Sequence, residues 1–363
     1  MHTNTELEFL LKLHTTQYPL MTAQDAVKLL YQQEFGCGHM IADEASSLSY
    51  LKEEYAATFL RSGVPLSEPI GNGYIRLNLC AMDAQLFPLT MLNHLFVQTA
   101  AHGKGSLANF KNTLQVLLEL TEKGEFPFSL EDLQNYLTDY AKQGYPAVSH
   151  SQIYRDAYHP AYRVLLEEQL PLFTIIPALA PLLTERTTPL VIAIDGNCAS
   201  GKSTLAAHLA KCYSASVIHM DDFFLPYALR TPERLQEPGG NVHYERFAKE
   251  VISHLHSGDS FAYSVFDCSI GDYNGQQTVA PSQLIIVEGA YSLHPFFHNP
   301  YDFTIFLSSS PEVQKTRILA RNGETMYENF RTKWIPMEQH YFDTFQIAKQ
   351  CHLRLSTSGF LIS

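Results

Sequence analysis

The chain has 363 residues, 45% hydrophobic and 17% charged, the balance of a globular protein with a sizeable core and enough length for two domains. Its formal net charge of −12 repels nucleic-acid phosphates and anionic membrane surfaces, so neither is expected as a partner. The six cysteines are irregularly spaced with no C-x-x-C pair, which argues against a zinc site or a disulfide framework and for a cytoplasmic setting. The opening MHTNTELEFLLKLH does not read as a signal peptide, and no window is apolar for long enough to span a membrane.

Residues 1–185 read as a mostly helical domain. Thr22-Ala-Gln-Asp25 is a capping-box-like start for AVKLLYQQEF. Segment 43–61 places Leu48, Leu51, Tyr55 and Leu60 near helical spacing. Segments 106–122 and 129–142 are amphipathic; each opens on a serine and runs to a glycine, Gly124 and Gly144, that suits a helix stop. Gly73–Leu79 alternates and reads as a strand. Two polar clusters stand apart. In Glu34-Phe-Gly-Cys37-Gly-His39, Cys37 and His39 fit either a nucleophile or ligand pair, or a helix cap with a small buried residue. The run His150, Tyr154, Arg155, Tyr158, His159, Tyr162, Arg163 fits either a structural role or an anionic ligand at a second site. Residues 171–188 read as a short helix and a linker, with the domain boundary near Glu185–Pro189.

Residues 186–363 have a different texture. Short apolar runs, VIAID (191–195), SVIHM (216–220), FAYSVF (261–266), QLIIVE (283–288) and FTIFLS (303–308), alternate with helical patterns. Continuous apolar strands between helices predict an α/β fold, a P-loop NTPase-type parallel sheet flanked by helices. The first run leads into Gly196-Asn-Cys-Ala-Ser-Gly201-Lys202-Ser203, which fills every fixed position of the phosphate-loop pattern. Its glycines let backbone N–H groups turn onto phosphate oxygens, and the helix that follows adds its positive dipole end. Lys202 suits the β- and γ-phosphates and Ser203 suits Mg²⁺.

Two strand ends carry acids. His219-Met-Asp221-Asp222-Phe-Phe224 follows the second strand, where a carboxylate can take a proton from an attacking hydroxyl, hold a metal-bound water, or cap a turn. Glu288-Gly289 ends the QLIIVE strand, at the place of a Mg²⁺-supporting acid. Arg317 and Arg321, four residues apart, share a helix face that suits either a lid over phosphates or solvent.

With these residues in place, 189–355 resembles the uridine kinase, nicotinamide riboside kinase and phosphoribulokinase superfamily of P-loop kinases, through GNCASGKST, IHMDDFF, IIVEG and TRILAR. The resemblance implies ATP as donor and Mg²⁺ as cofactor. It puts the triphosphate on Gly196, Asn197, Ala199, Ser200, Gly201, Lys202, Ser203 and Thr204, and the metal on Ser203, Glu288 and Asp222. Asp221 is implied as the base, and Arg317 and Arg321 as part of the lid. The acceptor, a small molecule bearing a hydroxyl, is placed on Asp221, Phe224, His243, Tyr244, Arg246, Asp267 and Tyr291. Uridine kinases carry an aromatic-Asp-His-Pro segment after the base and a Tyr-Asp pair followed by His and Arg. Here those regions read EPGGNVHYER and FDCSIGDY, so pyrimidine recognition does not carry over.

The leading expectation is therefore a small-molecule kinase, uridine kinase-like in its phosphotransfer half. A nucleotide-gated regulatory module with slow ATPase activity is the alternative, though it has no use for an acceptor base, and no N-K-x-D guanine signature is present. A third reading makes the chain bifunctional, with the His150–Arg163 cluster acting on the same metabolite.

Overall fold

The computed structural model describes residues 4–38, 41, 43–103, 105–184 and 186–358. Packing divides the chain into two units, one built from Met1–Glu167 and one from Glu168–Phe360. The helix Leu172–Thr184, read from the sequence as the end of the first domain, falls in the second unit.

In the first unit the helices Ala23–Phe35, Leu107–Thr121 and Leu130–Lys142 lie where their patterns predict, and the helix Glu44–Ala56 stops short of Leu60, which is exposed beyond its end. Their ends are set locally. The Thr22 N–H donates to the Asp25 carboxylate at 3.1 Å, and Ser129 and Asp132 cap one another reciprocally. Fully buried Leu29, Leu30, Leu77, Leu95, Phe110, Leu117, Leu133 and Leu165 contribute to the core. The unit is less exclusively helical than its sequence suggests. Strands β1 (Ser67–Gly71), β2 (Tyr74–Asn78) and β3 (Tyr162–Leu166) form an antiparallel sheet in that order. Only β2 alternates strongly enough to be read in advance. β1 carries Ser, Glu and Pro, and β3 lies in the polar His150–Arg163 run, so long-range pairing decides both. Asn72 and Gly73 both have positive φ in the tight link from β1 to β2, as a two-residue hairpin turn requires.

In the second unit, β4 (Leu190–Gly196), β5 (Ser216–His219), β8 (Leu284–Glu288), β9 (Phe303–Ser308) and β10 (Leu353–Ser356) form a five-stranded sheet, order β10-β9-β4-β8-β5, parallel throughout. Every residue of β4 and β8 is buried, which is why both read as unbroken apolar runs. The remaining strands, β6 (Phe261–Asp267) and β7 (Asp272–Val279), correct the sequence reading: FAYSVF does not join the parallel sheet but pairs antiparallel with β7 as a separate hairpin. β7, DYNGQQTV, is almost wholly exposed and carries no apolar signature. The fifth place in the sheet is taken by β10, LRLS, an edge strand half open to solvent. Among the described residues, no helix is long and apolar enough to cross a membrane.

Candidate active site

Parallel order puts the C-terminal ends of β4, β5 and β8 side by side, and the loops leaving them build the site. β4 passes through residues 196–201 into the helix Lys202–Tyr213. Gly196 is fixed by its neighbour: at φ +143° a Cβ would stand 1.8 Å from the Leu307 carbonyl oxygen on β9. Gly289, after β8, is required in the same way, at φ +137° and 2.7 Å from the Met220 Cβ.

The loop is braced from three directions. Asp195, fully buried, accepts from the backbone N–H groups of Gly196 (2.7 Å), Tyr291 (3.2 Å) and Leu293 (3.0 Å) and from the Tyr341 hydroxyl (2.8 Å). Burial pushes its carboxyl up to about 6 against these donors. Glu338, on the helix Ile335–Phe345, accepts from the Cys198 N–H at 2.8 Å, and burial pushes it up to about 7. Thr357 donates to the Ser200 carbonyl at 2.9 Å, and Arg317 binds both the Ala199 carbonyl (3.1 Å) and the Thr357 hydroxyl (2.7 Å).

The Lys202 ammonium lies over the loop and donates to the carbonyls of Gly196 and Asn197 at 2.8 and 2.9 Å. Ser203 Oγ donates to Glu288 Oε1 at 3.0 Å, and His219 Nδ1 stands 2.5 Å from the same oxygen. That hydrogen bond raises the His219 pKa, with nearby Glu288, Asp222 and Asp221 adding to it. Asp221 is open to solvent but crowded by protein in its cleft. That crowding raises its pKa, opposed by Lys202 and reinforced by Glu288 and Asp222. The hydroxyl and carboxylate of Ser203 and Glu288 suit Mg²⁺, which takes oxygen ligands and keeps waters and phosphate oxygens in its shell. Among the described residues, no three His, Cys, Asp or Glu side chains form a metal cluster.

The other sequence candidates sort by what they touch. Asp222, expected beside the metal, accepts from the Tyr263 hydroxyl at 2.9 Å. Arg246 is buried between the rings of Phe223 and Tyr273, donates to the Asp222 carbonyl, and pairs with Glu250; it holds the Asp221–Asp222 turn. His243 pairs with the Tyr273 hydroxyl, and Phe224 packs edge-on to Phe266, so both line the aromatic wall beside that turn. Tyr244 stacks on His294 and binds Glu237 and Arg234, and Tyr291 packs buried on Tyr341. Asp267 caps the β6–β7 turn through Ser269 and Asn274. Thr204 follows Ser203 on the helix, and Arg321 binds its neighbour Asn322 on an exposed surface, away from the partners of Arg317.

Sequence reasoning missed Asp195, Glu338, His219 and Thr357. Asp195 and His219 flank motifs and were open to reading as such. Glu338 and Thr357 reach the loop from far along the chain and carry no local signal. In the first unit, Cys37 is buried with its thiol pushed up to about 12 by desolvation and its Sγ 3.7 Å from the Val164 carbonyl, the environment of an inert packing residue. His39 lies outside the described residues.

No family model matches the chain. Among solved structures, the chain is similar to one described as a possible uridine kinase from Bacillus stearothermophilus, at 19% identity over 50% of this chain and 99% of that one, TM-score 0.38. It is also similar to D-glycerate 3-kinase from Cryptococcus neoformans, at 16% identity over 48% of this chain and 88% of that one, TM-score 0.37. A third is phosphoribulokinase from Rhodobacter spheroides, at 13% identity over 48% of this chain and 74% of that one, TM-score 0.33. The P-loop fold of the second unit stands on its strand order and loop geometry, and no activity is taken from likenesses this distant.

Proposed function

We propose that the second unit is an ATP-dependent kinase that transfers the γ-phosphoryl group to a hydroxyl of a small molecule. The observation that supports it best is the grouping of Lys202 and the Ser203–Glu288 pair at 3.0 Å with Asp221 on the neighbouring strand end. A nucleotide switch needs the first three but not the fourth.

In this reading the loop amides and Lys202 hold the triphosphate, and Lys202 exchanges its two carbonyl partners for phosphate oxygens. Ser203 and Glu288 hold Mg²⁺, which draws charge from the phosphates when bound. Asp221 accepts the proton of the acceptor hydroxyl as its oxygen attacks, and ADP leaves. A carboxylate with a raised pKa is a better proton acceptor, provided the pH stays above that pKa. Arg246 keeps Asp221 in place by gripping the next carbonyl. The acceptor sits against the Phe224–Phe266–Tyr273 wall.

The test is a screen for ADP release across nucleosides, vitamins and hydroxy acids at saturating ATP and Mg²⁺. An acceptor that raises ADP release well above the ATP-only rate is expected, and it should appear as a phosphate monoester. Slow hydrolysis that no acceptor stimulates would favour the nucleotide-gated alternative.

A further inference from the structure

In the first unit, one face of the sheet is polar where an apolar core would be expected. Glu68 on β1 faces Arg76 on β2, and Asn78 on β2 faces Tyr162 on β3. Glu68, Arg76 and Asn78 are 4%, 2% and 8% exposed. The helix Ala23–Phe35 adds Asp25, Lys28 and Gln32, and the His150 segment adds His150 and Tyr154. Burying this many polar groups is costly unless they are matched, and most of them are.

The matching runs in one direction. Arg76 Nε and Nη2 donate to Gln32 Oε1 at 3.0 and 2.8 Å. Gln32 Nε2 donates to the Tyr162 hydroxyl at 3.2 Å, and that hydroxyl lies 2.7 Å from His150 Nε2. His150 Nδ1 lies 2.9 Å from Asp25 Oδ1. Burial pulls the His150 pKa down to about 3, so the ring is neutral: Nδ1–H donates to Asp25, and Nε2 accepts the Tyr162 proton. Ser151 and Thr22 supply the remaining donors to Asp25.

One cation is left without an ion pair. Arg76 is buried, and among the described residues no carboxylate lies within ion-pair distance of it. Glu68, its cross-strand neighbour, accepts instead from Tyr18, Asn78 and Gln17. The acceptor Arg76 does have is a neutral amide, its guanidinium lies over the Tyr162 ring at 4.7 Å, and Nη1 makes no hydrogen bond among the described residues. A second cation stands nearby: Lys28, whose Nζ reaches the Val148 carbonyl at 2.9 Å. Burial, with Arg76 and Arg155 near it and Asp25 opposing them, pulls Lys28 down to about 8. Two cations drawn out of water, one of them fixed by a hydrogen-bond chain, form a preorganised receptor for negative charge.

We propose that the first unit holds a second ligand site, for the oxyanion of a small molecule, either phosphoryl or carboxylate. Arg76 and Lys28 are its cations, and the Tyr162 ring, 4.7 Å under the Arg76 guanidinium, is its wall. This site stands independently of the kinase reading.

The test uses the full chain carrying Lys202→Ala, which weakens phosphate binding at the loop. It is titrated with inorganic phosphate and, separately, with acetate at constant ionic strength while the Arg76 Nε–H signal is followed by ¹⁵N NMR. A saturable shift with phosphate, acetate or both is expected, and which probe shifts it assigns the ligand to the phosphoryl or the carboxylate class. Lys28→Gln, at a partly exposed position that spares the Arg76–Gln32 pair, should weaken binding at least tenfold. No saturable shift with either probe overturns the proposal, and so does a shift that Lys28→Gln does not weaken.

Discussion

Each unit contains a buried cation that lacks a carboxylate partner. Lys202 is held by two backbone carbonyls of its own loop, and Arg76 by the amide oxygen of Gln32. Both arrangements restrain a positive charge without neutralising it, which is what a site for an anion requires. They differ in how they are built. The partners of Lys202 lie within six residues of it, whereas Arg76, on a strand, is held from a helix forty-four residues away in sequence. A cradle made of backbone tolerates many side chains around it. A cradle made of side chains depends on every element that supplies one.

The largest expected effect tests whether the Lys202 cradle serves chemistry. Asp221→Asn should lower kcat by about 100- to 10,000-fold while nucleotide affinity stays near that of the native chain, as ADP release and equilibrium nucleotide binding would report. Unchanged turnover would remove Asp221 from the mechanism. Lys202→Ala should cost roughly 100- to 1,000-fold in kcat and, unlike Asp221→Asn, weaken ATP binding as well. Gly196→Ala, which forces a side chain against the Leu307 carbonyl, should destabilise the second unit by about 3 kcal/mol in denaturant unfolding.

The next test is pH. Glu338 titrates near 4.5 when unfolded but about 7 when folded, so between those values the folded chain binds more protons. Its contribution to stability is complete below pH 4.5 and is lost as the pH rises through 7. Glu338→Gln, which keeps an acceptor for the Cys198 N–H, should flatten that slope by ~1–3 kcal/mol between pH 5 and 7.5. The acid limb of kcat/KM should likewise lie above the ordinary aspartate range, because Asp221 is raised by its crowded setting. The smallest effect is expected at Asp267→Asn: a slight loss of thermal stability and no change in acceptor KM, since its carboxylate caps a turn.

The loop, its two strand-end acids and the parallel sheet were legible because each is specified by neighbours in sequence: glycines where φ is positive, apolar runs where strands are buried on both faces. Legibility fails where a strand is made by its pairing and not by its own side-chain pattern. β10 and β7 carry polar faces and belong to their sheets through their partners alone. The His150–Arg163 run showed that something polar gathers there. It could not show that Arg76, Gln32 and Asp25 complete the set, since β2 and the helix Ala23–Phe35 look ordinary by periodicity. Asp267 and Arg246 show what a motif leaves unsaid: the first caps the β6–β7 turn through Ser269 and Asn274, and the second holds the Asp222 carbonyl.

The clasp at Thr357 sets the order in which the protein becomes competent during synthesis. The loop at 196–201 is made early in the second unit, but its Ser200 and Ala199 carbonyls are secured by Thr357 and by an arginine that Thr357 itself holds. β10 takes its place beside β9 only after residues 353–356 have left the ribosome. A nascent chain stopped before residue 353 would therefore carry a recognisable phosphate loop without its brace, and completion of that loop would wait on a residue made 157 positions after Ser200.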